Sequence, residues 1–193
     1  MNITQEHMEW AVVDRLGKLL DRPDQKWNVT DTLSSFSLLL CWIIQRIRDE
    51  NHKSHGLSRA LEREFIDDIP WCITTDRANN EINKFKLIDK PEGDIDPYSA
   101  YRFLVGLRNG IAHGDDRNIT PIGHRNMLVG FSIRLSEKRN RDTTLWSGQC
   151  NLLQKDMRRI GLHLRHKFLT FVDPEGSLRK EAELGVVERE GAA

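Results

Sequence analysis

"MLVGFSIRLSEKRNRDTTLWSGQC", residues 127–150, is where the character of this chain changes. Val129, Phe131, Ile133 and Leu135 alternate with small or polar residues, and the period of two is that of a strand with one buried face. The polar tip "KRNR" (138–141) separates this run from "DTTLWSGQC" (142–150), which is also rich in strand-forming residues. Two such runs about a short polar tip predict a β-hairpin over about residues 126–150.

Outward from the hairpin the pattern is helical. "ITQEHMEWAVVDRLGKLLDR" (3–22) places Met8, Ala11, Val12, Leu16, Leu19 and Leu20 at helical spacing, and Pro23 stops it. "NVTDTLSSFSLLLCWIIQRIRDEN" (28–51), capped by Thr30 or Asp31, is apolar nearly all round, as a central bundle helix is. "LSRALEREFID" (57–67) is a short third helix, and 77–96 reads as an irregular connection. "DPYSAYRFLVGLRNGIAHG" (96–114) has Asp96 as a cap, Pro97 at the first helical position and Gly114 as the stop. "NLLQKDMRRIGLHLRHKFLTFVD" (151–173) puts Leu153, Met157, Ile160, Leu164, Phe168 and Phe171 towards the core. The expected fold is mainly all-α, a helical bundle over residues 1–172 with a β-hairpin inserted after the fourth helix. Residues 173–193, charged and rich in small side chains, read as a flexible tail.

Bulk composition narrows the function. Twenty-nine basic and 29 acidic residues balance to zero net charge, so any nucleic-acid site must be a local patch. The three cysteines (Cys41, Cys72, Cys150) lack the CxxC spacing of a structural zinc site. The first residues lack a basic start and an apolar stretch, and "LLLCWII" (38–44) is too short to span a bilayer. A cytoplasmic protein without membrane, metal or cofactor is the expectation.

The candidate chemistry lies in "LRNGIAHGDD" (107–116). At 100° per residue, Asn109 and His113 share a helix face, while Arg108 lies about 140° from His113. The three converge only if the helix end distorts, which Gly110 and Gly114 make cheap, or if two copies face each other across a two-fold axis. Histidine titrates near neutrality and suits general acid–base work. Arginine holds phosphate bidentately and steadies charge in a transition state, and asparagine can orient either partner. These groups suffice to cleave RNA through its own 2′-hydroxyl.

Arg108-Asn109-x-x-x-His113 resembles the Rx4–6H motif of HEPN domains, all-α proteins common in prokaryotic toxin–antitoxin and antiphage systems. The motif's place late in a bundle helix also agrees, and the resemblance covers roughly residues 1 to 172. It implies a metal-independent endoribonuclease, a homodimer whose active site draws on both motif helices, with a possible antitoxin or neutralising protein as partner. His113 would be the acid–base residue, Arg108 the phosphate ligand and Asn109 the orienting group. One subgroup carries a modified tyrosine two residues beyond the histidine; Asp115 stands there instead. The alternative reading is a non-catalytic HEPN-type dimer that binds RNA or a partner protein.

Lesser candidates remain. Lys138, Arg139 and Arg141 at the hairpin tip are candidate RNA contacts, against a plainly solvated tip. Lys155, Arg158, Arg159, Arg165, His166 and Lys167 could line a groove or simply face solvent. His52/His55 and His163/His166 have HxxH spacing but no fixed further ligand. Asp115 or Asp116 could orient His113, and Trp42 is expected in the core.

Overall fold

The structure, a computed structural model, describes residues 5–22, 28–75, 84–91, 93–113, 118–140 and 143–180. Arg141, Trp27, Asp115, Asp116, Gly114 and the end of the tail lie outside these residues. In chain order the elements are α1 (Gln5–Leu20), α2 (Val29–Arg48), a single 3-10 turn, α3 (Gly56–Glu62), β1 (Phe85–Asp89) and α4 (Ala100–Ala112). β2 (Ile119–His124), β3 (Met127–Lys138), β4 (Thr144–Leu153) and α5 (Gln154–Val172) follow. One further helical turn covers 177–180, where Leu178 is buried.

The fold is mixed α/β, which corrects the expected all-α bundle. The hairpin is present, but β3 and β4 are the centre of a four-stranded antiparallel sheet in the order β1-β4-β3-β2. β1 arises inside the supposed irregular connection. Its five residues are too few to display a period, yet Phe85 is fully buried, edge-on to Tyr98, Phe103 and Trp146. β2 carries Pro121, tolerated because β2 is an edge strand. Arg125 and Asn126 join it to β3 with φ of 49° and 63°, the left-handed pair that tight hairpin turns require.

The sheet presents one face to the helices. Ile133, Leu135, Trp146, Cys150 and Leu152 are buried on it and belong to the same core as Phe36, Leu39, Ile43 and Ile44 of α2. On the opposite face of β3, Ser132 and Ser136 are half-buried and Arg134 and Lys138 are exposed. α2 touches α1, α5 and α4, as an apolar central helix should. Its cap is Asn28, whose side chain accepts from Asp31 N, rather than Thr30 or Asp31. α4 starts later than expected, with Ser99 as its cap; Asp96 closes the preceding turn by accepting from Tyr98 N. Trp42 is only partly buried, packed against the core edge with Arg46 over its ring.

α4 lies between α2 and β3, and small residues set its height above the sheet. A Cβ on Gly106 would stand 2.5 Å from the Trp146 ring, and one on Gly110 would stand 2.2 Å from the Arg134 carbonyl oxygen. Gly110 therefore permits a close approach of helix to strand rather than a distorted helix end.

Candidate active site

α4 stays regular to Ala112, and His113 caps it with φ −105° and ψ 20°. The three motif side chains accordingly point in different directions. Arg108 faces α2, where its charge opposes the burial that pushes the Cys41 thiol up. Asn109 faces β3, and its Nδ2 donates to the Ser136 carbonyl at 3.1 Å. Arg108 Nη1 donates to Asn109 Oδ1 at 3.2 Å, which ties the two together. His113 is exposed at the helix end, its carbonyl accepting from Asn118 Nδ2 at 3.2 Å.

A break in the sheet brings them into one cavity. β2 pairs with β3 only as far as Ile119↔Ile133, and Arg134 N adds a bond to the Asn118 carbonyl. Beyond that point no strand among the described residues lies beside the β3 edge, and the C-terminal half of α4 packs there. The resulting cleft of about 700 Å³ is bordered by Arg108, Asn109 and His113 together with Arg48 of α2 and Arg134, Ser136 and Lys138 of β3.

The charges of the cleft are unevenly matched. Glu137 accepts from Arg102 Nη1 at 2.7 Å and from Trp146 Nε1 at 3.0 Å, and Asp89 accepts from the Ser147 hydroxyl. These are the only two carboxylates among the described residues lining it. Arg48, Arg108, Arg134 and Lys138 line it too, and none makes a salt bridge among the described residues. A neutral chain thus gathers an excess of positive charge at one place, where focused field attracts anions.

Neither a family model, a curated protein nor a solved structure matches this chain. The assignment of chemistry rests on the cleft itself.

Of the tip residues, Lys138 reaches the cleft, and Arg139 is exposed outside its lining. Four of the six basic candidates on α5 bond to other parts of the fold, Lys155 and His166 are exposed, and Arg165 and His166 border a second cleft between α1 and the end of α5. Arg165 bonds Asp14, Lys167 bonds Glu64, Arg158 bonds the Arg22 carbonyl, and Arg159 bonds the Cys72 carbonyl at 3.1 Å.

The HxxH histidines go separate ways. His52 pairs with Glu9 and Ser54, both at 2.7 Å, and His55 bonds the Ile47 carbonyl at 3.0 Å. His163 stands edge-on to Trp71 at 4.7 Å, and burial, aided by the Lys167 charge, holds its pKa below the ordinary value. Among the described residues, no three of His, Cys, Asp or Glu gather as a metal site would require, and no helix is long and apolar enough to cross a membrane.

Sequence reasoning missed Arg48 and Arg134. Alternation along β3 identifies Arg134 as outward-facing, but only the β2–β3 break reveals what it faces.

Proposed function

We propose that this chain is a metal-independent endoribonuclease of the HEPN type, acting as a cytoplasmic homodimer in a toxin or antiphage role under the control of a neutralising protein. The observation that supports the activity is the meeting of Arg108, Asn109 and His113 in one cleft with Arg48, Arg134 and Lys138, which make no salt bridge among the described residues. In the reaction, a 2′-oxygen bonds to the adjacent phosphorus while the bond from phosphorus to the 5′-oxygen breaks. The 2′-hydroxyl gives up its proton, the leaving oxygen takes one, and the products are a 2′,3′-cyclic phosphate and a 5′-hydroxyl. His113 is the residue placed to move a proton, Arg108 steadies the charge on the phosphate oxygens, and Asn109 holds Arg108 in place. One protomer offers one such histidine; the second histidine of a dimer would let acid and base be different groups.

The test is cleavage of bulk RNA by purified protein in EDTA, with dimerisation followed by light scattering. His113→Ala should lose about 10²–10⁴ of the rate, and Arg108→Ala about 10²–10³, both still folded by circular dichroism. The alternative, a non-catalytic RNA- or partner-binding dimer, is favoured by one observation: Arg108 leans on Asn109 while His113 stands exposed, so a single protomer does not preassemble them. Folded, dimeric wild type that leaves every RNA intact would favour that alternative.

A further inference from the structure

The cleft has a direction. α4 is its floor, with Arg108 turned towards α2 on one side and Asn109 bonded to β3 on the other. Arg48, the last residue of α2, stands on the first wall, and Arg134 on the second. Both are exposed, and neither makes a salt bridge among the described residues. Among the described residues the carboxylates lining the cleft are Glu137, which Arg102 pairs, and Asp89, which accepts from Ser147, so cations outnumber acids there.

We infer that Arg48 and Arg134 grip the phosphates on either side of the one over Arg108 and His113, so that an RNA strand crosses α4 from the α2 wall to the β3 wall. This inference rests on the ribonuclease reading for the identity of the strand, and the strand path follows from the charges alone. Three phosphates held in a row make the site one for the interior of a strand. Recognition runs mainly through the backbone: no Phe, Tyr or Trp lines the cleft among the described residues, while its cations suit phosphates.

The test measures binding without cleavage. A labelled pentanucleotide of RNA, 2′-O-methylated throughout so that the 2′-oxygen cannot attack, is titrated by anisotropy between 50 and 200 mM salt. Wild type should bind it far more tightly than a methylated dinucleotide with a single phosphate. The slope of log affinity against log salt should fall by roughly 0.7 in Arg48→Gln, by the same amount in Arg134→Gln, and by roughly 1.4 in the double variant. Arg59→Gln, on the exposed side of α3, should keep the wild-type slope. Slopes in R48Q and R134Q that coincide with wild type overturn the path, as does affinity indifferent to strand length or no binding at all. The two slope changes in R48Q and R134Q, together with wild type that cleaves no RNA, support the path and remove the ribonuclease reading instead.

Discussion

Asn109 is the residue on which the site's geometry turns, because its two polar atoms serve different elements. Its Nδ2 fixes it to the Ser136 carbonyl, and its Oδ1 receives Arg108, so the guanidinium is positioned from β3 through one side chain. Asn109→Ala removes a hydrogen bond on each side, each worth about 1 kcal/mol. The expected result is a roughly tenfold fall in kcat with KM little altered, since Arg108 keeps its charge but loses its aim. An unchanged kcat in a folded N109A protein would show that Arg108 needs no such support. The motif residues were legible because their identity and spacing survive without a structure. Their angular separation of about 140° was legible too, and the structure satisfies it with a cleft that wraps the helix end instead of distorting it. Arg48 and Arg134 were not legible: each is an ordinary charged residue until the fold brings both to the cleft beside Arg108 and His113.

Elements show a similar division. The long helices and the β3–β4 hairpin announced themselves by period, whereas β1 and β2 did not. A five-residue strand holds too few alternations to read, and a strand with proline shows its place only when it lies at a sheet edge. The expected stripe of α1 is only partly the buried one: Leu20 is fully buried and Leu16 packs against the core, with Ala11, Val12 and Leu19 half-buried. Its buried line runs through Glu9, Val13, Asp14 and Leu20, leaving Met8 exposed. Apolar periodicity misses such a line, because apart from Lys18, one turn from Asp14, the partners of these acids, Arg46, His52 and Arg165, lie 37, 43 and 151 residues away. The contact of α4 with β3 offers the sharpest test at this scale. Gly110→Ala puts a methyl 2.2 Å from a backbone oxygen that cannot rotate away. Overpacking of this kind costs about 1–3 kcal/mol, partly offset by the roughly 1 kcal/mol by which alanine favours a helix over glycine. Denaturant unfolding should show a net loss of up to about 2 kcal/mol. A more stable G110A protein would mean that α4 has room to lift from the sheet.

At the scale of the whole molecule, sheet and helices share one core, and their covalent junction is the turn from β4 into α5. Asp156 sits there fully buried. It accepts from Leu153 N at 3.1 Å and, with both oxygens at 2.9 Å, from Lys84 just before β1. One carboxylate thus joins the start of the edge strand, the end of a central strand and the first turn of α5. Asp156→Asn keeps the shape but leaves the Lys84 ammonium without its counter-charge. Removing one partner of a buried pair costs 3–5 kcal/mol, and since Lys84 reaches solvent, with 21% of its side chain exposed, the lower end, about 3 kcal/mol, is expected. Because the core is continuous, that loss should appear as one transition. Tryptophan fluorescence in a background with Trp10, Trp27 and Trp42 replaced by Phe, so that it reports Trp71 and Trp146, and far-ultraviolet dichroism, reporting the helices, should shift together in D156N. If the helical signal held its wild-type midpoint while fluorescence moved earlier, the sheet would be unfolding on its own. The cleft between α4 and β3 would then be a boundary between separately stable units, and a strand bound across it would have to stabilise the joint as well as find it.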